Sequence, residues 1–105
     1  MIDKLNEVVI VGAVRTPIGT YKGSLKDINA HLLGSAAINE VLKRSNIKHD
    51  EIDEVIMGQV LSAGTGQNPA RQAAVDAGIP ISKPAHIVNQ VCGSGLRAVI
   101  SGYQS

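Results

Sequence analysis

The sequence predicts an α/β fold with a mainly parallel sheet and the element order β-α-β-α-β-α. Three apolar segments, residues 7–14, 54–60 and 86–91, alternate with three segments of helical periodicity. Their apolar residues are continuous rather than alternating, which is typical of parallel strands covered on both faces. Strands that alternate with helices along a chain favour a parallel sheet with the helices packed on it.

The first strand is predicted at residues 7–14, and a loop containing Pro and Gly follows it. From Asp27 onward apolar residues recur every three or four positions, as they do on one face of a helix. Asp27 and Asn29 are the candidate N-caps of this helix. Lys43 and Arg44 suit its C-terminal end, where the helix dipole is negative.

The second strand, at residues 54–60, leads through a glycine-containing loop to a helix start at Asn68 and Pro69. Asparagine is a favoured N-cap, and proline favours the first helical position. Gly78 is the expected C-terminal stop of this helix. The third strand is predicted at residues 86–91.

The last predicted helix follows a tight turn at residues 92–95, and its apolar residues share one face. These residues are Leu96, Val99, Ile100 and Tyr103. A three-stranded parallel sheet of such apolar strands would leave faces and an edge uncovered. We therefore expect residues 1–105 to be part of a longer protein, with a complete small α/β domain as the alternative.

The composition excludes several classes of function. The formal net charge is +1 and the basic residues form no stripe, so a nucleic-acid-binding role is not expected. The longest apolar run is too short to span a membrane, and the polar N-terminus argues against a secretory signal. A single cysteine excludes an internal disulfide and favours a reducing, cytoplasmic compartment. One cysteine and the scattered His31, His49 and His86 predict no metal site.

Cys92 is the candidate catalytic residue, because it lies between a predicted strand and a predicted helix start. A thiol becomes a good nucleophile as the thiolate, which the free amides and the dipole of a helix N-terminus stabilise. Gly93 and Gly95 would allow a sharp turn and leave open space near the sulfur. A small buried hydrophobic side chain is the alternative interpretation of this cysteine.

A second interpretation applies to the same residues. Residues 93–98 match G-x-G-x-x-G/A, the dinucleotide-binding fingerprint, after a strand and before a helix. The fingerprint normally follows the first strand of a domain rather than the third. A nucleotide-binding oxidoreductase domain therefore remains an alternative at this point.

Three blocks of the sequence resemble the thiolase family in the family's own order. They are residues 8–19 (VVIVGAVRTPIG), residues 58–60 with 64–73 (GQV and GTGQNPARQA), and residues 89–98 (NQVCGSGLRA). The last block resembles the segment around the family's acyl-accepting cysteine. Biosynthetic, acetoacetyl-CoA-forming thiolases are the most similar group.

The resemblance implies the first half of an N-terminal domain with layered α/β/α architecture, and a role for Cys92. Its thiolate would take an acyl group from one acyl-CoA and pass it to the carbanion of a second acetyl-CoA. Such covalent catalysis predicts ping-pong kinetics. Acyl-CoA and CoA would be substrates, with no separate cofactor. The family also implies a homodimer or homotetramer for the longer protein.

Thiolases use further groups from later in the chain: an activating His, a second Cys, and an Asn-bound water. No second Cys occurs here, and the three His residues match none of the family's catalytic motifs. We therefore expect residues 1–105 alone to be inactive. A thiolase-like lipid-binding or assembly protein without transferase activity is one alternative. A related condensing enzyme that uses carrier-protein substrates is another, although the block at residues 67–71 favours a thiolase.

Overall fold

The computed structural model describes residues 7–105, and its elements follow the predicted order from the first helix onward. They are α1 (Ala30–Ser45), β1 (Val55–Gly58), α2 (Pro69–Asp76), β2 (Ala85–Val88) and α3 (Ser94–Gln104). A 3₁₀ turn at His49–Glu51 connects α1 to β1. Within residues 7–105, no helix has the length and apolar character needed to cross a membrane. The expectation about a secretory signal concerns residues 1–6, which lie outside the described residues.

The two strands form a parallel sheet, as predicted. Their register runs from Val55 beside Ala85 to Gly58 beside Val88. Val55 N donates to Pro84 O at 3.1 Å, and Gln59 N donates to Val88 O at 3.2 Å, so pairing continues at both ends. Both strands, at four residues each, are shorter than the apolar segments that predicted them.

The strand predicted at residues 7–14 is wrong, and so is the three-stranded sheet. This segment is not in a strand, and Val9 and Ile10 expose 65% and 80% of their surface. A strand needs a second strand to bond its amides and carbonyls, and apolar composition alone does not provide one. The segment instead passes α1: Ser45 Oγ donates to Val11 O at 3.4 Å, and a Cβ on Gly12 would collide with Ser45.

Helix α1 begins three residues later than Asp27, with Asn29 at the N-cap position. Asn29 thus occupies the predicted N-cap position, but its side chain makes no capping hydrogen bond. The C-terminal end follows the prediction, since Lys43 and Arg44 occupy the last turn. Asn46 then ends the helix in a left-handed conformation with φ of 54°.

The core lies between α1, α2 and one face of the sheet. Helix α2 and the residue after it bury four alanines at helical spacing, which allows close packing on α1 and on both strands. These are Ala70, Ala73, Ala74 and Ala77. Gly34 of α1 is part of the same close contact: a Cβ there would lie 3.1 Å from Ala73 Cβ and 3.1 Å from Met57 Cε.

Helix α3 lies on the other face of the sheet. Successive strand residues point to opposite faces; Met57 contacts the α1–α2 side, whereas Gly58 meets the first turn of α3. Helices therefore cover both faces, and the predicted α/β fold is confirmed with an α/β/α layering. The shared apolar face of α3 is also confirmed as helical, but it is open: Leu96 and Tyr103 are 68% and 67% exposed.

Candidate functional site

The turn from β2 to α3, residues 89–94, carries the only cysteine of the sequence. Cys92 is free and exposed, and it directly precedes Gly93, the N-cap residue of α3. This is the strand–turn–helix position predicted for it. The alternative of a small buried hydrophobic side chain is wrong, because the cysteine lies on the surface.

The sharpest backbone feature of this turn is at Val91, not at a glycine. Val91 has φ of 51°, in the left-handed region that a β-branched residue strongly disfavours. Gly93 has φ of −87° and ψ of 1°, which any residue can adopt. The prediction that the glycines provide the sharp turn is therefore wrong. The expected open space is present at Gly95, where an added Cβ would meet no atom within 4 Å.

Two polar side chains bond the backbone on either side of Val91. Asn89 Oδ1 accepts from Val91 N at 2.9 Å. Ser94 Oγ accepts from Gln90 N at 2.9 Å and donates to Val91 O at 2.6 Å. The backbone adds two bonds of its own, from Gly93 N to Gln90 O and from Ser94 N to Val91 O. Four amides of the turn, those of Gln90, Val91, Gly93 and Ser94, thus have acceptors within the turn itself.

The turn is also fixed to the end of β1. Asn89 Nδ2 donates to Val60 O at 3.0 Å. A Cβ on Gly58 would lie 2.5 Å from the carbonyl carbon of Ser94 and 2.6 Å from Gly95 N, so only glycine allows this approach. The start of α3 therefore rests directly on the backbone of β1.

The N-terminal end of α3 has the polarity that a thiolate needs. Gly93 provides no side-chain cap, and the first turn of α3 contains no acidic residue. Helix N-termini carry partial positive charge from amides that lack intrahelical partners. An exposed sulfur one residue before such an end is placed to act as a nucleophile and to hold an acyl group.

The histidines make contacts elsewhere in the fold. His31 Nδ1 lies 2.6 Å from Asp76 Oδ2 and joins α1 to α2. His49 Nε2 lies 2.8 Å from Asn39 Oδ1, and His86 Nδ1 lies 3.4 Å from Glu54 Oε1. His31 and His49 are half-buried. In the described part of the chain, acidic, histidine and cysteine side chains form no metal-binding group.

The block at residues 64–73 builds the start of α2 rather than the surroundings of Cys92. Asn68 Oδ1 accepts from Arg71 N at 3.1 Å, which confirms the predicted N-cap. Arg71 donates to Ile81 O at 2.9 Å and to Lys83 O at 3.0 Å, thereby fixing the connection to β2. Gln72 Nε2 donates to Thr65 O and Gln67 O, both at 2.8 Å.

Sequence reasoning missed three residues that shape the turn: Gly58, Asn89 and Ser94. Gly58 had a sequence signal, since a glycine inside an apolar strand marks a close approach of another backbone. Asn89 and Ser94 are residue types that bond nearby backbone in turns. Nothing in the sequence indicates that both would bond around Val91.

Known proteins resemble this chain in both sequence and fold. Residues 8–105 match the family model described as the N-terminal domain of thiolase. The chain is 57% identical over 93 residues to an acetyl-CoA acetyltransferase of Syntrophomonas wolfei, covering 89% of this chain and 24% of the relative. It is 52% identical over 101 residues to one of Pseudomonas aeruginosa, covering 96% and 26%.

A solved structure also resembles the fold. The crystal structure of Acat5 thiolase from Ascaris suum in complex with coenzyme A matches with a TM-score of 0.87 and 42% sequence identity. The match covers 90% of this chain and 25% of that chain. The chain thus spans about a quarter of the length of these relatives.

Proposed function

The chain belongs to the thiolase family, whose N-terminal domain it matches over residues 8–105, and we propose that the whole protein is an acetyl-CoA acetyltransferase. It joins two acetyl-CoA molecules into acetoacetyl-CoA and CoA, and it catalyses the reverse thiolysis. The family resemblance of the three sequence blocks is confirmed. Support for the substrate comes from the relatives named acetyl-CoA acetyltransferase and from the Ascaris thiolase solved with coenzyme A.

One observation carries the proposal: an exposed Cys92 directly before the N-cap of α3. It lies in the segment that resembles the family's acyl-accepting block. The start of α3 is uncapped by side chains, and helix N-termini carry partial positive charge that favours a nearby anion. A nucleophile that forms a covalent acyl intermediate needs this combination of access and anion stabilisation.

The proposed reaction has two transfers. In the first, the Cys92 thiolate attacks the thioester carbonyl of acetyl-CoA, and the bond to the CoA sulfur breaks to release CoA as its thiolate. In the second, the α-carbanion of another acetyl-CoA attacks the acetyl-Cys92 carbonyl. The new carbon–carbon bond forms, the bond to Cys92 breaks, and the Cys92 thiolate is regenerated. Splitting the condensation in this way replaces one difficult step with two easier ones.

Removal of the α-proton requires groups beyond Cys92. The sequence contains one cysteine, so a second cysteine of the kind thiolases use would come from another part of the whole protein. The three histidines lie in contacts between elements of the fold. We therefore assign to residues 7–105 the acyl-accepting half of the chemistry, not the complete turnover.

The dinucleotide-binding alternative loses its structural basis. The fingerprint places its first glycine at a tight turn so that backbone can approach the pyrophosphate. Gly93 has an ordinary conformation, and the left-handed residue of this turn is Val91 rather than a glycine. A thiolase-like protein without transferase activity is the alternative that experiment must separate.

The test is intact-mass spectrometry of the full-length protein after brief exposure to acetyl-CoA. We expect one acetyl adduct that maps to Cys92, is absent in Cys92→Ala, and is discharged by added CoA. Thermal denaturation of Cys92→Ala should match that of the wild type, because the exposed side chain contributes little packing. A folded wild-type protein that takes no adduct would sink the transferase proposal and favour the non-catalytic alternative.

A further inference from the structure

Ser94 is a buried polar residue with a specific set of partners. It is 3% exposed, although it begins a helix whose apolar face is open. Its hydroxyl accepts from Gln90 N at 2.9 Å and donates to Val91 O at 2.6 Å. The side chain therefore accepts from the Asn89–Gln90 peptide group, which precedes Val91, and donates to the Val91–Cys92 peptide group, which follows it.

These bonds coincide with the least favourable backbone conformation in the turn. A non-glycine residue in the left-handed region is strained and persists only where neighbouring groups enforce it. Val91 has φ of 51° and is 62% exposed, so its own side chain packing does not enforce the conformation. The enforcing groups are the hydrogen bonds that Ser94 and Asn89 make to its peptide neighbours.

Asn89 acts from the strand side of the turn. Its Oδ1 accepts from Val91 N at 2.9 Å, while its Nδ2 donates to Val60 O at 3.0 Å. The amide thus joins the Val91 peptide to the segment that follows β1. The backbone of Ser94 packs closely against Gly58. Both residues are therefore fixed to β1 or to the segment that follows it.

The next residue after this enforced peptide is Cys92. A rotation of the Val91 backbone toward the ordinary β or helical region would reorient the Cys92 Cα–Cβ bond relative to the N-terminus of α3. Displacements of about 1 Å at a reacting group can cost about 100-fold in rate. The polarity of the helix end acts on the sulfur only while this orientation is kept.

We propose that Ser94 and Asn89 are positioning residues, which hold Val91 in the left-handed conformation and thereby orient Cys92 for acylation. The inference rests on the proposed function, because it concerns the reactivity of Cys92 toward acetyl-CoA. Neither side chain is assigned any contact with substrate. Their effect passes through one backbone conformation, which can be changed independently of them.

The experiment measures the single-turnover rate of acetyl-Cys92 formation in four variants of the full-length protein: Ser94→Ala, Asn89→Ala, Val91→Gly and Ser94→Ala with Val91→Gly. Glycine adopts positive φ without cost, so it removes the need for enforcement. We expect Ser94→Ala to slow acylation by about 10- to 100-fold, with half-saturation by acetyl-CoA changed by less than about twofold. Asn89→Ala should slow it in the same direction.

Val91→Gly provides the readout that a purely structural role would not move. Alone it should change acylation less than Ser94→Ala does, and in the double variant it should recover at least about fivefold of the lost rate. Acylation of Ser94→Ala within twofold of wild type would overturn the proposal. So would a slowed Ser94→Ala that Val91→Gly fails to restore. If Ser94→Ala does not fold, Asn89→Ala with and without Val91→Gly decides by the same criteria.

A second measurement separates this inference from the proposed function. Hydrogen exchange of the peptide covering residues 89–94 is measured without any acyl-CoA, and Ser94→Ala should exchange faster there than the wild type because the Gln90 amide loses its acceptor. A wild-type protein without an acetyl adduct would end the transferase proposal alone. Unchanged exchange in Ser94→Ala would instead end the positioning proposal, whether or not the wild type is acylated.

Discussion

The two helices that follow the strands are preceded by similar backbone geometry, but their first residues differ in how exposed they are. A left-handed residue that is not glycine precedes each start: Asn68, with φ of 43°, before α2, and Val91, with φ of 51°, before α3. Asparagine tolerates this conformation and bonds its own helix start. Valine tolerates it poorly, and other residues must enforce it.

The start of α2 is closed, whereas the start of α3 is open. Pro69 and Ala70 are buried, and Asn68 Oδ1 caps the helix through Arg71 N. Before α3, Cys92 and Gly93 are exposed and no side chain caps the helix. At α2, a residue that tolerates positive φ and also caps the helix precedes a start whose role is structural. An unfavourable residue without a cap marks a start whose free end is available for chemistry.

The largest effect should come from Gly58→Ala, which adds a methyl group where the backbone of β1 contacts the start of α3. The added Cβ would lie 2.5–2.6 Å from the backbone of Ser94 and Gly95, so α3 must shift. Overpacking of this kind costs about 1–3 kcal/mol of unfolding free energy. We expect a matching loss of stability in chemical denaturation and slower acylation of Cys92 in the full-length protein.

Gly102→Ala is the matched control, because it also adds a methyl group to a glycine. Gly102 lies within α3, and among the described residues a Cβ there would meet no atom within 4 Å. Alanine should raise stability slightly, by up to about 1 kcal/mol, through helix propensity. Equal losses in both variants would contradict the view that Gly58 acts through its contact with Ser94.

An intermediate effect should follow Asn68→Ala, which opens the closed start. The change removes the cap on Arg71 N and the bond from Asn68 Nδ2 to Ala85 O, and it places alanine at φ of 43°. Loss of such a cap costs about 1–2 kcal/mol. Asn68→Gly keeps the positive φ available and should cost less. Denaturation curves of the two variants measure the difference.

The rate of acetyl-Cys92 formation provides a further test of the Asn68 variants. Asn68 lies at the structural helix start, so both variants should form acetyl-Cys92 at rates within about twofold of wild type wherever they remain folded. A large loss of acylation in folded Asn68→Gly would break the comparison, because the closed start would then also serve the chemistry.

The smallest effect is expected for Arg71→Lys. The Arg71 guanidinium donates to both Ile81 O and Lys83 O, and one ammonium group does not reproduce this forked geometry. We expect a loss of about 0.5–1 kcal/mol in unfolding free energy. Because Arg71→Met keeps a long side chain without any donor, it should lose more than lysine. Equal stability of wild type and Arg71→Met would show that these bonds contribute nothing.

Much of the fold follows from local sequence signals. The helix start at Asn68 and Pro69, and the stop at Gly78 with φ of 91°, are correct because cap chemistry and glycine conformation are local properties. The parallel pairing of β1 and β2 follows from two apolar strands joined through a helix. The position of Cys92 before α3 follows from the same strand–turn–helix order.

The errors concern properties that depend on tertiary neighbours or on which side chains hydrogen-bond the backbone within a turn. Residues 7–14 have strand composition, but strand geometry requires a paired neighbour that no local pattern supplies. The sequence predicted that glycines would form the sharp turn. The left-handed residue is instead Val91, where Asn89 and Ser94 hydrogen-bond the backbone. The exposure of Cys92 likewise depends on which elements surround the turn.

Some expectations stay predictions. The acyl-accepting role of Cys92, the absence of a separate cofactor and the homodimer or homotetramer all derive from the family resemblance. A cytoplasmic location derives from cysteine usage and the polar N-terminus. Mass spectrometry of the acetylated protein tests the first of these, the role of Cys92.

The Gly58 contact has a consequence for how the turn around Cys92 folds. Every group that shapes the turn around Cys92 lies between Val55 and Ser94, and the strands, α2 and the turn follow one another without interruption. Short separations along the chain keep loop-closure entropy small and favour rapid folding. The turn around Cys92 can therefore form early in folding, without waiting for contacts from more distant parts of the chain.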